Sequence, residues 1–275
     1  MASASIRPAA VAGMFYPGDR QQLQRQLTDL LSAPAPAPEP FAEAPPKALV
    51  VPHAGYVYSG PIAASAYRTL QPWRDRIHRV VLLGPAHRVA VRGAALPAAQ
   101  TFDTPLGPVE LDLDTWLTLQ AVPGVTVSDL AHATEHALEV QLPFLMASLG
   151  HFRIVPLVVG YMPPEQVAGL LEAVWGGPET LIVISTDLSH YLRYEDARVV
   201  DRNTCDRVLA LSGDIDPEEA CGASPLNGFL LEARRHQLKP RLLDLRNSGD
   251  TSGQRGQVVG YASFTFDEDI DGARH

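Results

Sequence analysis

Cysteine and long apolar runs are both scarce in this chain of 275 residues. Its two cysteines, Cys205 and Cys221, provide neither a disulfide framework nor the paired CxxC motifs of a structural zinc site. No apolar run approaches the roughly 18 residues that a membrane span needs. At the amino end, no basic segment precedes an apolar stretch, as it would in a secretory signal peptide. We therefore expect a cytoplasmic protein that binds no membrane.

Positive charge is also in short supply. The chain has 22 Lys and Arg against 31 Asp and Glu, which gives a formal net charge of -9. A surface for nucleic acid or anionic lipid needs clustered basic residues, and no such cluster interrupts the acidic balance. The Walker and dinucleotide-binding glycine motifs are absent as well. These absences argue against a nucleic-acid partner.

What the sequence does contain is one pattern that occurs three times: a short apolar run, a break, and then a histidine. The runs are residues 48–51 before His53, 80–83 before His87, and 181–184 before His190. Each run is typical of a buried strand. Because ligands bind at the carboxyl ends of strands in an open α/β sheet, we expect these three histidines to meet in one crevice.

The order of the predicted elements indicates an α/β fold with a single domain over residues 1–275. Apolar runs alternate with amphipathic segments typical of helices, such as 23–31, for which Asp19 is the predicted cap, and 163–175. This alternation favours a mostly parallel central sheet with helices on both faces. Ser59 and Pro61 predict a helix over 62–70 that would join the first two histidine-bearing strands in a βαβ unit.

Three stretches depart from this alternation. Residues 33–46 are rich in alanine and proline, which predicts an extended connector. Within 95–112, two short strands around a Pro/Gly turn are expected as an antiparallel excursion near the sheet edge. Residues 267–275 are expected to form a flexible tail.

A second polar group lies in the segment 132–145. Thr134 is the predicted cap of a helix, on which Glu135, His136 and Glu139 would share one face because they are three and four residues apart. Taken alone, this pattern is typical of a solvated helix start. The apolar residues 142–149 that follow require the helix to pack on the domain, so we expect its polar start to face the crevice.

Cys221 lies between a short helical turn and a predicted helix that starts near residue 224. A thiol at a helix amino end is shifted towards the thiolate, which is the form that binds metal. Two imidazoles and one anionic ligand resemble the facial arrangement of non-haem iron proteins, and zinc also accepts two His and one Cys. Cys205, within a helical pattern, is predicted to be a buried structural thiol.

Five ordered motifs together resemble the Memo family, whose prokaryotic members are called AmmeMemoRadiSam system protein B. They are PHAGY at 52–56 with YSG at 58–60, GPAH at 84–87, EH at 135–136 with QLP at 141–143, STDLSHY at 185–191, and ACG at 220–222 with Pro225. The likeness runs from about Arg7 to Phe266. That family is similar in fold to the class III, or LigB-type, extradiol ring-cleavage dioxygenases.

The resemblance implies a role for several of these residues. His53 and His87 would bind the metal, and Cys221 would be the third ligand, where the dioxygenases use a glutamate. His190 would take the place of the acid/base histidine, with Asp187 orienting its ring or keeping it protonated. The implied metal is iron(II), with copper or zinc as alternatives. The residues that would line the pocket and contact substrate are Tyr56, Glu135 and His136.

Three classes of function stay open on this basis. The first is a non-haem metal-dependent oxidoreductase that acts on a small molecule. The second is a protein that binds a metal or a peptide without turnover, since eukaryotic Memo members are associated with phosphotyrosine peptides and with iron or copper. The third is a zinc-dependent hydrolase in which His190 activates water. The family name also implies association with a radical S-adenosylmethionine enzyme and an AMMECR-type protein.

Overall fold

The structure, a computed structural model, describes residues 5–33 and 44–268. Most of the predicted connector at 33–46 and most of the predicted tail at 267–275 therefore lie outside the described residues. The strands are β1 (Ile6–Arg7), β2 (Ala48–Val51), β3 (Arg79–Pro85), β4 (Ala94–Leu96), β5 (Thr101–Phe102), β6 (Val109–Glu110), β7 (Val125–Val127), β8 (Arg153–Val159), β9 (Thr180–Ser185), β10 (His190–Leu192), β11 (Lys239–Asn247) and β12 (Val258–Asp267).

The helices alternate with these strands through most of the chain. They are α1 (Arg20–Ser32), α2 (Tyr56–Tyr67), α3 (Leu113–Gln120), α4 (Asp129–Ala133), α5 (Leu142–Ser148), α6 (Pro164–Glu172), α7 (Tyr194–Leu209), α8 (Ala223–Arg235) and α9 (Ser248–Thr251). Two 3₁₀ segments, Arg68–Trp73 and Glu139–Gln141, follow α2 and precede α5. The α/β class predicted from the alternation is confirmed.

A large mixed sheet organises the chain. Its strand order is β10-β12-β2-β9-β3-β8-β4-β7, and β11 also pairs with β12. The central strands β2, β9, β3 and β8 are parallel to one another. The pairings of β12 with β2, β10 and β11, and of β4 with β8, are antiparallel. The predicted parallel arrangement thus holds at the centre of the sheet, while antiparallel pairings occur on both sides of it.

Strands β2 and β3 do not pair with each other, although the sequence predicted a simple βαβ unit. Strand β9 lies between them, and its Ile184 is the register partner of both Val50 and Leu83. Every residue of β9 is buried, as expected for a central parallel strand covered on both faces. A segment late in the chain therefore occupies the middle of the sheet.

Helices cover both faces of this sheet, as predicted. Leu49 and Val51 of β2 pack in the apolar layer formed with α1, α2 and α5, whereas Ala48 and Val50 pack in the layer formed with α6, α7 and α8. Cys205 is buried in the second layer, in agreement with its predicted structural role. Within residues 5–33 and 44–268, no helix is long and apolar enough to cross a membrane.

The excursion predicted within 95–112 is present as a small second sheet. Strands β5 and β6 pair antiparallel, and β1 pairs parallel to β5. This pairing holds the start of the described chain in place. The segment that follows β1 then reaches the carboxyl ends of the central strands, where the backbone oxygen of Phe15 accepts a hydrogen bond from the N–H of Tyr56 at 2.8 Å.

Helix α2 begins at Tyr56, before the predicted start at residue 62. The N–H groups of Tyr58 and Ser59 bond to the oxygen of Gly55 at 2.8 and 3.1 Å, so the first turn is closed before Pro61 is reached. Ser59 does not cap the helix, because its hydroxyl donates to the oxygen of Ala54. Pro61 lies inside the helix rather than in its first turn.

The helix predicted to start at Thr134 does not form. Helix α4 ends at Ala133, and residues 134–138 are irregular before the 3₁₀ turn that leads into α5. Glu135 and Glu139 therefore do not share a helix face. The carboxylate of Glu135 binds His87 and that of Glu139 binds Arg7, and these tertiary partners outweigh the local helical pattern.

Candidate functional site

The carboxyl ends of β2, β9 and β3 lie side by side and deliver polar residues to one edge of the sheet. His53, Asp187 and His87 each follow the end of one of these strands by two residues. Parallel pairing is what brings these positions together, since they are far apart in the sequence. They lie where the repeated strand-histidine pattern predicts a crevice.

Three imidazoles meet at this edge: those of His53, His87 and His136. Their ring centroids are 5.1 Å apart for His53 and His87, 5.3 Å for His53 and His136, and 4.7 Å for His87 and His136. One nitrogen from each ring lies within 4.8 Å of the other two. Metal–nitrogen bonds of about 2.1 Å would need only small side-chain rotations from this arrangement. We refer to these residues as the histidine cluster.

Hydrogen bonding fixes the tautomer of His53. The hydroxyl of Ser185 donates to the oxygen of Ala137 at 2.6 Å, so its oxygen accepts from Nδ1 of His53 at 2.9 Å. Nε2 of Gln141 donates to the same hydroxyl oxygen at 2.8 Å. With the proton on Nδ1, the lone pair of Nε2 is left for another partner.

Glu135 orients His87 in a similar way. Its Oε1 accepts from Nδ1 of His87 at 2.9 Å, and its Oε2 accepts from the backbone N–H of His87 at 2.7 Å. Burial favours the neutral carboxyl, but the bonds from the His87 ring and the N–H of Ala137 outweigh it and lower the pKa of Glu135 to about 2. Glu135 was predicted to contact substrate, whereas here both of its oxygens bind the chain itself.

His136 completes the cluster and has an unused ring nitrogen. Among the described residues, its buried Nδ1 makes no hydrogen bond, although Oε1 of Glu135 is 3.3 Å away. Phe15 packs against the ring with a centroid separation of 4.7 Å. A buried ring nitrogen without a partner costs free energy unless something binds it. The predicted substrate contact therefore lies in a position suited to a ligand.

Burial keeps two of these imidazoles neutral. It lowers the pKa of His53 to about 3, with a further contribution from His87. It also lowers the pKa of His136 to about 4, with a further contribution from His53. The neutral imidazole is the form that binds metal ions. Both side chains are thus in their metal-binding form at neutral pH.

Cys221 approaches His53 but lies outside the group of three nitrogens. Its Sγ is 3.3 Å from Nε2 of His53 and accepts from the N–H of Asp187 at 3.3 Å. The predicted thiolate is wrong, because burial and the Asp187 carboxylate raise the pKa of this thiol to about 12. The next residue must be small, since a Cβ on Gly222 would lie 2.7 Å from Cβ of Thr186.

Asp187 and His190, predicted to move protons, lie at the same edge of the sheet. Oδ1 of Asp187 accepts from the backbone N–H of His53 at 2.7 Å, and burial raises the pKa of this carboxyl. His190 lies on β10 opposite Val259, near enough for its charge to influence His53 and Asp187. In the described part of the chain no hydrogen bond joins the two side chains, so the predicted orientation of His190 by Asp187 is not found.

Tyr56 is a core residue rather than a lining residue. Its ring packs against Phe144 and Tyr16, with centroid separations of 4.7 and 5.6 Å. Its hydroxyl donates to the oxygen of Val140 at 2.7 Å. A substrate contact through this hydroxyl would break a buried hydrogen bond, so this packing does not support the predicted role.

Three further residues contribute to the site without having been predicted there: Ser185, Gln141 and Phe15. The sequence did give an indication for Ser185 and Gln141, because a polar side chain in an apolar segment is expected to be buried and to need a hydrogen-bond partner. The sequence gave no such indication for Phe15, because its contact with His136 depends on the path of the whole N-terminal segment.

The chain is similar in sequence to the members of one protein family. The sequence model of a family described as Memo-like protein matches residues 7–265. A MEMO1 family protein from Aquifex aeolicus is 35% identical over 277 residues, covering 95% of this chain and 99% of the relative. One from Sulfolobus acidocaldarius is 34% identical over 284 residues, with 95% and 99% covered. These similarities span nearly the whole chain.

A solved structure also resembles this fold. The crystal structure of an uncharacterized protein from Escherichia coli K12 matches with a TM-score of 0.51 and 14% sequence identity. The match covers 79% of this chain and 98% of that chain. At this level of identity the similarity concerns the fold alone.

Proposed function

The chain belongs to the Memo family, and on that premise we propose that two residues of its histidine cluster, His53 and His87, bind a redox-active transition metal together with Cys221, iron(II) in the first place and copper in the second. The convergence of three imidazoles carries this proposal, because hydrogen bonds hold His53 and His87 at Nδ1 and place their lone pairs on Nε2. Imidazole nitrogen is a suitable ligand for iron, copper and zinc.

The proposed ligands are His53, His87 and Cys221. Sγ of Cys221 is already 3.3 Å from Nε2 of His53, and the N–H of Asp187 points to it. A bound cation competes with the thiol proton, so ligation would lower the pKa that burial has raised. His136 is the alternative third ligand, because one of its ring nitrogens lies within 4.8 Å of those of His53 and His87.

When bound, the metal would supply Lewis-acid and electron-transfer chemistry. The chain contributes orientation, since Glu135 and Ser185 hold two of the rings by their far nitrogens. His190 is proposed to carry a proton on a ring nitrogen. Asp187 is a second group able to hold a proton close by, because burial raises its pKa.

A zinc-dependent hydrolase is the second candidate, and the position of His136 favours it. Three imidazoles are the ligand set of one class of catalytic zinc site. In that case His136 would be the third ligand in place of Cys221, and His190 would act on water. The two candidates therefore differ in a ligand that substitution can identify.

Metal analysis tests both candidates. Protein purified anaerobically without added metal is compared with the variants His53→Ala, Cys221→Ala and His136→Ala, with His236→Ala as a control remote from the cluster. We expect iron or copper in the wild type and the control, and its loss in His53→Ala and Cys221→Ala. Zinc that survives Cys221→Ala but not His136→Ala would support the hydrolase. No bound metal, even after anaerobic addition of iron(II), would contradict both.

Oxygen consumption tests whether the metal is used for oxidation. We expect uptake with catechols by the iron-loaded wild type, and its loss in His190→Gln while the metal is retained. Full metal occupancy without uptake on any diol would favour the non-catalytic binding protein instead.

A further inference from the structure

The N-terminal segment 7–16 binds the loop 132–139, which carries Glu135 and His136. The contact centres on Glu139, whose side chain is completely buried. Its carboxylate accepts hydrogen bonds from Nη1 of Arg7 at 2.5 Å, the N–H of Ala10 at 2.8 Å, the N–H of Val11 at 2.9 Å and the hydroxyl of Tyr16 at 2.7 Å. One carboxylate thus gathers four donors from one segment.

Arg7 extends this contact to the backbone of the loop. Its Nε donates to the oxygen of His132 at 2.9 Å, and its Nη2 donates to the oxygen of Glu135 at 2.8 Å. Together with the bond to Glu139, the guanidinium holds three positions of the loop at once. The rigid, planar fork of arginine makes this possible, and a single ammonium group does not reproduce it.

Phe15 brings the same segment to the histidine cluster. Its ring packs against His136, and its backbone oxygen accepts from Tyr56 at the start of α2. Residues 134–138 form neither helix nor strand, so no ladder of backbone hydrogen bonds sets their position. The placement of Glu135 and His136 therefore depends on contacts from outside the loop.

We propose that Arg7 and Glu139 are positioning residues of the histidine cluster. Through them the N-terminal segment braces the loop 132–139, and the brace maintains the Glu135–His87 hydrogen bond and the place of His136. The effect on metal affinity rests on the proposed function. The effect on the His87 imidazole does not, because that hydrogen bond involves the chain alone.

An ion pair that only stabilises the fold would produce a different result, and the chain offers one as a control, although it is less buried than the pair of Arg7 and Glu139. Arg79 pairs with Asp112 at 2.9 Å, at the start of β3, whereas His87 follows the end of that strand. Arg7→Lys keeps a positive charge beside Glu139 but gives up the simultaneous bonds to the oxygens of His132 and Glu135. Arg79→Lys makes the same chemical change away from the cluster.

Nitrogen-edited NMR of the imidazoles, recorded without added metal, is the first measurement. We expect the Nδ1–H signal of His87 in the wild type to weaken or disappear in Arg7→Lys and in Glu139→Gln. The Nδ1–H signal of His53 should persist in every variant, because its acceptor Ser185 lies on β9. Glu139→Gln keeps the side-chain shape and one acceptor oxygen, so it reports on the brace if Arg7→Lys folds poorly.

Titration with cobalt(II) is the second measurement. Loss of a group that orients a ligand costs about 10- to 100-fold in affinity, so we expect that decrease and a changed visible spectrum in both brace variants. Arg79→Lys should stay within about twofold of the wild type on the same scale. Brace variants that unfold more easily, yet keep the wild-type His87 signal and cobalt affinity, would overturn the proposal. If even the wild type binds no cobalt, the metal function fails, and the His87 signal still decides whether the brace exists.

Discussion

Within residues 5–33 and 44–268, two groups of ligand-type side chains lie close enough together to hold a metal ion, and they differ in how the chain uses their lone pairs. One is the histidine cluster at the carboxyl ends of the central strands. The other, which we call the α6–α8 cluster, consists of Glu172, Glu232 and His236 where those two helices end. In both groups the candidate ligand atoms lie within 4.8 Å of one another. Proximity alone therefore does not distinguish a binding site.

In the α6–α8 cluster the ligand-type atoms face one another. Nε2 of His236 is 2.9 Å from Oε2 of Glu172 and 3.2 Å from Oε1 of Glu232. Nη1 of Arg235 donates to Glu232, and the His236 ring stacks on Trp175 at 3.9 Å. Glu172 is 60% exposed. Glu232 is buried, so the group is an ion-pair network at the boundary between the protein and water, and a metal ion would have to displace these partners.

In the histidine cluster the partners bind the far side of the rings. Ser185 accepts from Nδ1 of His53 and Glu135 accepts from Nδ1 of His87, so the lone pair of each ring is on Nε2, which in His53 faces Sγ of Cys221 at 3.3 Å. Burial also keeps His53 and His136 neutral. The two clusters therefore differ in that Ser185 and Glu135 hold the rings of the histidine cluster from outside it, whereas the groups of the α6–α8 cluster bind one another.

Substitution of a metal-binding side chain should give the largest difference in metal affinity between the two clusters. His87→Ala is expected to lower the affinity for iron(II) or zinc by more than the roughly 100-fold that loss of an orienting partner can cost. His236→Ala should leave that affinity unchanged, because its ring already binds Glu172 and Glu232. Competition titration with a chelating dye measures both. Equal losses in the two variants would erase the distinction drawn between the clusters.

Loss of an orienting carboxylate should have the next largest effect. Glu135→Gln keeps an acceptor for Nδ1 of His87 but removes the negative charge, so we expect metal affinity to fall about 10- to 100-fold. Glu172→Gln makes the same change in the α6–α8 cluster and should not alter it. The same dye titration applies, and wild-type affinity in Glu135→Gln would show that the carboxylate does not orient a ligand.

Acid should destabilise the fold through the buried imidazoles. Their pKa values are about 3 for His53 and about 4 for His136 in the folded chain, against about 6.5 when unfolded. Below about pH 6.5 the unfolded state binds more protons, so stability falls as pH falls towards 4, by about 1.4 kcal/mol per pH unit for each imidazole. Denaturant unfolding with a chelator present should show a shallower pH slope in His136→Gln. An unchanged slope would mean that His136 is not held neutral.

The smallest effect should come from the α6–α8 cluster. Glu172→Gln is expected to lower the free energy of unfolding by about 1 kcal/mol or less, because the carboxylate is mostly exposed. Zinc should raise the melting temperature of the wild type and of Glu172→Gln, but not of His87→Ala. A zinc-dependent increase that remains in His87→Ala and disappears when Glu172→Gln is added would show that the α6–α8 cluster binds metal after all.

Much of the scaffold of the site was predictable because its signals are local. The apolar run 48–51 and the break at Pro52 predict a strand that ends just before His53, and β2 occupies that run. The same reasoning holds for β3 and His87. Helix α1 and its Asp19 cap follow from spacing and side-chain type in the same way.

The partners of the polar residues were not predictable, because they are distant in sequence. Thr134 and Glu135 predicted the start of a helix. That helix does not form, because Glu135 binds His87 and Glu139 binds Arg7. The position of Cys221 near a helix end predicted a thiolate. Burial and the neighbouring Asp187 instead raise the pKa of the thiol and keep it protonated. Both wrong predictions have the same cause. The residue that contacts the side chain in the folded protein lies outside the local segment from which the prediction was made.

Local sequence patterns were therefore enough to predict most of the buried strands and helices, and to predict that His53 and His87 follow two of the strands. The three-dimensional fold was needed to show that β9 separates those strands and that His136 lies beside His53 and His87. It was also needed to show that Ser185 and Glu135 hold the two rings. The spacing of apolar residues predicts which face of a segment is buried, and this spacing can be measured within the segment itself. A hydrogen bond or a pKa depends on the particular neighbour, and folding alone brings that neighbour into contact.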